Sequence, residues 1–419
     1  MKPRSSGWLS SLAFACIALG ACSSESTEKL LPGPPPGAQA GAGGSSGSGG
    51  SAGGPVMGDG PSCSGFAPDA CPGPEGEQVC VSKQTDPAHC GECGAACAAQ
   101  AVCVGGQCLP PPQELSAFTG CGNVRLALHD GQVFWSERTS GRVAAIPTSG
   151  GPVVELATGR LAPGQLAVDA DGVYWFDAGD GSAGSSKLMK LSLPPDGAAP
   201  TTLLSAPGTE AITGLTVAGG KLYYGLGHDV HQIATDGSGG SDVIVGVAYA
   251  RMDTRMPSGF PEAISVHGER VYWIVREVGS VESDDFLPGP DDSPRVGHSG
   301  SMWNEDLGFA GDYVYYGAFE SLYAAQPGAP AVAIASSVDS SPVTSFAVSE
   351  QAAFFADQGG QLSHHELALP AAADSQPSPS APLARAQGSV TSLVLDGENL
   401  YWASVDSAGG CAIRKLPMP

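Results

Sequence analysis

The sequence predicts an all-β chain: a seven-bladed β-propeller, with six or eight blades as the alternatives, preceded by a small disulfide-rich module and a disordered tether. Three observations predict it. The first is a recurring design, in which an apolar alternating run meets a tight polar turn and then a short strand ending in two aromatics. It is clearest in Leu126-Ala-Leu-His-Asp-Gly-Gln-Val-Phe-Trp135, Leu166-Ala-Val-Asp-Ala-Asp-Gly-Val-Tyr-Trp175 and Leu393-Val-Leu-Asp-Gly-Glu-Asn-Leu-Tyr-Trp402. Weaker copies end in Leu222-Tyr-Tyr224, Val271-Tyr-Trp273, Val314-Tyr-Tyr316 and Ala353-Phe-Phe355. The second is spacing: the terminal aromatics Trp135, Trp175, Tyr224, Trp273, Tyr316, Phe355 and Trp402 follow one another at 39 to 49 residues, the length of one four-stranded blade. The third is composition. The chain holds 60 Gly and 35 Pro, as many short strands joined by turns require, and its second half has no long amphipathic helical pattern.

Charge narrows the partners. Acids outnumber bases 42 to 19, and loss of a leader carrying Lys2 and Arg4 leaves 17 bases. Such a surface repels phosphate backbones, so nucleic acid is disfavoured as a partner on charge alone, and none is expected.

In chain order, residues 1–21 read as a signal peptide, with Lys2 and Arg4 before an apolar run from Trp8 to Ala21 that is short for a bilayer span. Residues 22–62 hold a linker rich in Gly, Ser and Pro that buries too little apolar surface to order itself. Residues 63–108 carry Cys63, Cys71, Cys80, Cys90, Cys93, Cys97, Cys103 and Cys108. So short a module needs covalent staples, each worth about 3 kcal/mol, and spacing leaves their connectivity open. Cys90-x-x-Cys93 also has zinc-ligand spacing, but export favours disulfides, and His89 beside it reads as a solvated loop residue.

Residues 109–419 hold the repeats. Asp130-Gly, Asp171-Gly and Asp396-Gly supply turns between the first two strands of a repeat. A third strand follows, as in Gly141–Pro147, and then a fourth, as in Val153–Ala157. The last repeat stops after its third strand, Cys411–Leu416, while Gln113-Glu-Leu-Ser-Ala117 at the other end matches a fourth. The N-terminal strand therefore completes the last blade and removes an open edge. Cys121 and Cys411 lie near the two ends of this region and are expected to bridge the seam. Glu282–Ser293 and Ala371–Pro382 read as loops of blades four and six.

Three resemblances add to this reading. Leu19-Gly20-Ala21-Cys22 resembles the lipobox of bacterial lipoproteins, which implies cleavage before Cys22 and acylation of its thiol. Ser23, not Asp, follows it, which by the same resemblance implies the outer membrane. The run Asp86-Pro-Ala-His-Cys-Gly-Glu-Cys-Gly-Ala-Ala-Cys97, with Cys103 and Gly105-Gly-Gln-Cys108, resembles the cysteine-rich repeat of the plant stigma-specific protein family, which implies no activity. Phe134-Trp-Ser-Glu137 and Tyr174-Trp-Phe-Asp177 resemble degenerate YWTD repeats of LDL-receptor-type propellers, which supports the ring but not the receptor function.

No catalytic set stands out. Asp284, Asp285, Asp291 and Asp292 lack the spacing of a calcium loop. His228 and His231, at i and i+3, point to opposite faces of a strand, and His364-His365 reads alike. No cofactor is called for. Trp303 is a candidate contact residue if it is exposed. The expectation is a non-catalytic binding or interaction protein of the cell envelope, held on the membrane by an N-terminal lipid and facing a protein or glycan partner. The alternatives are a propeller enzyme of lactonase, lyase or quinoprotein type, and a structural envelope or matrix component.

Overall fold

The computed structural model describes residues 63, 67–99, 101–195, 197–239, 242–246, 261–275, 280–285, 295–298, 306–327, 329–337, 340–367, 378–385 and 388–418. For 242–246, 280–285, 295–298, 378–379, 381 and 385 it describes the backbone alone. The chain divides into Met1–Gly58, outside the described residues, and Asp59–Pro419, which holds everything that follows. Cys22, the leader, most of the linker, Trp303, Asp291 and Asp292 lie outside the described residues.

All regular structure among the described residues is β. Among the described residues seven sheets follow one another, six of four antiparallel strands and one, blade 5, with a short fifth strand added in parallel, and we number these blades from the N-terminus. Blade 1 runs Val124–His129, Gln132–Glu137, Arg142–Pro147 and Val154–Ala157, from the centre outward. Blades 2 to 6 span 163–205, 212–246, 261–298, 308–336 and 343–385. Blade 7 takes Ser389–Leu395, Asn399–Val405 and Gly410–Pro417, and its outer strand is Gln113–Thr119 from the other end of the repeat region. That strand runs antiparallel to the third, from Gly410 opposite Thr119 to Lys415 opposite Gln113.

The alternating pattern dictates the packing. Side chains of one strand point to opposite faces, so each blade offers an apolar layer to both neighbours. Seven apolar clusters result, one at each junction, including the one between blades 7 and 1 that closes the ring. All seven terminal aromatics sit on second strands and are buried. A ring of this size removes roughly 150–250 Å² from water, a gross gain of about 4–6 kcal/mol each. The Asp130–Gly131 turn has φ of 44° and 70°, the left-handed pair that a two-residue hairpin demands.

Two sequence expectations need correction. Glu282–Asp285 is not loop: it lies in Ser280–Asp285, the third strand of blade 4, paired with Arg270–Val275. Residues 378–382 are not loop either. Ser378–Pro379 runs parallel to the outer strand of blade 5, and Ala381–Arg385 is the outer strand of blade 6. Backbone pairing at a neighbour's open edge outweighs the turn-rich composition of both stretches, because an unpaired edge leaves donors and acceptors unmet.

The cysteine module is two short hairpins, Asp69–Pro72 with Gln78–Val81 and Val102–Val104 with Gln107–Leu109. Disulfides Cys63–Cys80, Cys71–Cys93, Cys90–Cys103 and Cys97–Cys108 interlace them. Asp69 accepts from the Lys83 backbone N–H at 2.9 Å and from its ammonium at 3.2 Å, and the backbone bond foremost holds its carboxyl below the usual range. Val104 and Leu109 are buried in the apolar cluster of blades 6 and 7, so the module is seated on the ring.

Candidate functional site

The seven inner strands enclose a central cavity of ≈ 560 Å³. Each enters from the face that carries the connections between blades. Close to that face the inner strands of blades 2, 3, 4, 6 and 7 share a register shift, between Pro163 and Leu166, Thr213 and Leu215, Glu262 and Ser265, Val343 and Ser345, and Val390 and Ser392. Such bulges re-aim side chains. Here they turn polar groups toward the next blade at the cavity mouth.

The result is a belt of bonds between blades. Ser136 donates to the Gly164 carbonyl at 2.6 Å, the Leu215 N–H donates to the Gln165 amide oxygen at 3.2 Å, and Thr213 donates to the Pro261 carbonyl at 2.6 Å. Thr391 donates to the Val124 carbonyl at 3.0 Å, and Ser392 accepts from the Leu126 N–H at 3.1 Å. Asp306 accepts from Ser345 Oγ at 2.6 Å and from the Phe346 N–H at 3.1 Å. Arg125 of blade 1 reaches Asp306, just before blade 5, with Nη1 and Oδ1 3.9 Å apart. These two are the only charged residues among the described residues lining the cavity. The rest of the lining is aliphatic, phenyl, hydroxyl and amide.

Among the described residues, three carboxylates are buried beneath the same face. Glu137 Oε1 accepts from the Trp135 indole at 2.7 Å and from Arg142 Nε at 2.7 Å. Asp177 Oδ1 accepts from the Trp175 indole at 3.0 Å, and its other oxygen pairs with Arg160. The third, Asp357, accepts from the Gln361 N–H at 2.9 Å. Asp357 was not singled out from the sequence, although Phe354-Phe-Ala-Asp357 keeps the spacing of the other two. In all three the acid stands two residues after the terminal aromatic, which puts it on the same face of the strand as the ring. These acids anchor the ends of second strands and do not open into the cavity.

The remaining singled-out residues scatter. His228 sits in the turn before the third strand of blade 3, and His231 in that strand stacks on Tyr224 at 5.7 Å between centroids. Burial lowers the His231 pKa. His364 and His365 share the third strand of blade 6 on opposite faces, and burial lowers both. His89 accepts from the Gly94 N–H at 3.0 Å and shapes its own loop. Cys90, Cys97 and Cys108 come close enough together to suggest a metal, but each is in a disulfide, so no thiolate is left to ligate. Cys121 and Cys411 are bonded to each other across the seam.

The geometry defines a closed β-propeller with a disulfide-knit module seated on it. Solved structures agree on the fold. A catalytically inactive variant of virginiamycin B lyase from Staphylococcus aureus, crystallised with quinupristin, is similar with a TM-score of 0.53 and 13% identity, over 74% of this chain and 98% of that one. The selenomethionine form of the same lyase gives 0.50 and 11%, over 73% and 99%. A chain of the mitotic checkpoint complex gives 0.52 and 12%, over 72% and 94%. The sequence matches no protein-family model and no curated protein.

Proposed function

We propose that this chain is an exported binding protein, held on the cell envelope through an acylated Cys22, whose ring is a non-catalytic interaction platform. The observation that carries this reading is the lining of the central cavity. Its described charges are a single pair, Arg125 and Asp306, turned toward each other, and its Gln165 amide and Ser392 hydroxyl are bonded to neighbouring blades. General acid–base or nucleophilic chemistry needs a side chain poised to give or take a proton at the reacting atom. A mouth stitched in this way holds a shape and presents the loops around it. Two large apolar side chains, Leu161 and Phe319, stand exposed on that same face. Ten paired cysteines suit an oxidising compartment, which supports export.

The enzyme reading leans on the likeness to a lyase, which at 13% identity speaks to the fold alone. Two measurements test the proposal. Radiolabelled palmitate should enter the wild-type chain in a bacterial host and be absent from Cys22→Ser; equal labelling of both overturns the anchor. The full chain, immobilised oxidised, should retain a stoichiometric protein or glycan from envelope extracts, and a Leu161→Glu, Phe319→Glu variant should lose it. Failure to retain anything overturns the platform.

A further inference from the structure

A second cavity lies far from the channel mouth. It is a crevice of ≈ 900 Å³ where the cysteine module meets blades 6 and 7. The module contributes Val104 and Gln107 to one wall, and the blades contribute an apolar floor that includes Phe354 and Leu395. Its charged lining is of one sign: Glu350, Glu366 and Asp396, with no Lys or Arg among the described residues that line it.

His364 sets the chemistry of this crevice. It is 8% exposed, lines the cavity, and lies with its ring 5.2 Å from that of Phe354. Its ring nitrogens make no hydrogen bond with the described residues. They are not sealed from the crevice, so a ligand entering it can reach them. Burial holds it in the neutral form, against the opposing pull of Glu366, so one nitrogen is a lone-pair acceptor. Asp396 is differently placed. Burial pushes its pKa up, but the N–H groups of Glu398 and Asn399 and the hydroxyl of Tyr401, 2.8 Å away, bring it below the ordinary value. It therefore contributes a fixed negative field, and Glu350 and Glu366 remain exposed at the rim.

We propose that the crevice is a binding site for a small organic cation, an amine-bearing molecule with an apolar or aromatic body. The ammonium donates to the His364 nitrogen under the field of the three carboxylates, and the body lies on Phe354 and Leu395, where the aromatic face also favours a cation. An anion is rejected by the same field. The site shares no residue but Leu395 with the channel lining, so it stands or falls apart from the platform reading.

The probe is phenethylamine, with 3-phenylpropan-1-ol as its uncharged counterpart, titrated into the full chain carrying ¹³C-labelled histidine. Loss of one imidazole signal in His364→Gln assigns His364. Phenethylamine should shift that signal saturably, and Glu366→Gln, an exposed change that leaves folding intact, should weaken the affinity about threefold. Glu350→Gln should act in the same direction. A His364 signal that does not move overturns the site. An equal response to the alcohol, or an affinity unchanged in both Glu→Gln variants, overturns the cationic class.

Discussion

The indole N–H of Trp135 donates to Glu137 Oε1 at 2.7 Å, two residues along the same strand, and Arg142 closes on that carboxylate from the next strand at 2.7 Å. Trp175, Asp177 and Arg160 repeat the relationship in blade 2. A buried acid here ties together an indole, a guanidinium and the end of a strand.

Removing the acid takes the acceptor from the Trp135 indole, the Arg142 guanidinium and Ser140 Oγ, which donates to Oε2 at 2.6 Å. Glu137→Ala is expected to destabilise the chain by about 3 kcal/mol, because breaking a buried pair strands its partner. Glu137→Gln keeps an acceptor for the indole and is expected to cost about 1 kcal/mol. Urea unfolding followed by tryptophan fluorescence measures both. Equal, negligible effects would show that the triad adds nothing to stability.

Blade 7 has the same opportunity without the acid. The Trp402 indole N–H is buried with no acceptor among the described residues, and Arg414 Nη1 donates to Ser404 Oγ at 2.7 Å, where Ser404 stands at the position of Glu137. Ser404→Asp supplies the missing acceptor beside a cation already in place. The expected gain is about 1 kcal/mol, read as a higher urea midpoint with an unchanged slope. A lower midpoint would mean that burial of the new charge outweighs its partners.

The seam has a covalent lock. Cys121 and Cys411 are 290 residues apart, so their bond restrains the unfolded chain over most of the ring. Cys121→Ser with Cys411→Ser is expected to cost about 2–5 kcal/mol. Hydrogen exchange should rise first in Gln113–Thr119, the strand held at the seam, before the other outer strands. Uniform loss of protection in all blades would mean that the ring opens as one unit.

Acid should weaken the fold below neutral pH. His231, His364 and His365 are all held below the usual histidine value, first by burial; Asp229 and Glu210 oppose this at His231, Glu366 opposes it at both blade-6 residues, and His364 adds to it at His365. A depressed pKa means that the unfolded chain takes up the proton first. Stability from these groups is therefore whole above about pH 6.5 and falls as pH drops through and below it. Urea midpoints between about pH 7.5 and about pH 5.5 measure the slope. His364→Asn with His365→Asn should flatten it, and an unchanged slope would assign the acid sensitivity elsewhere.

Much of the ring is legible in the chain because its signals are local. Alternation marks strands, an Asp-Gly pair marks a hairpin, and the returning aromatics count repeats. The outer strand of blade 7 can be read because the missing fourth strand at one end has its match at the other. Local pattern misled at Glu282–Asp285 and at 378–382, where acidic or Pro-rich composition suggested loop and edge pairing made strand. Asp357 was within reach of the same spacing argument as Glu137 and Asp177.

By itself, the order of residues determined the class of fold, the length of each blade and the way the ring closes, because hydrogen-bonded strands and their burial obey short-range periodicity. Only the tertiary structure decided which of the module's cysteines pair, where the module sits, and that Arg125 meets Asp306 across the mouth. It alone gathered His364, Glu350 and Asp396 from two blades beside Gln107 of the module. These meetings join residues far apart in sequence, and their distances exist only once seven sheets have packed into a ring of one curvature.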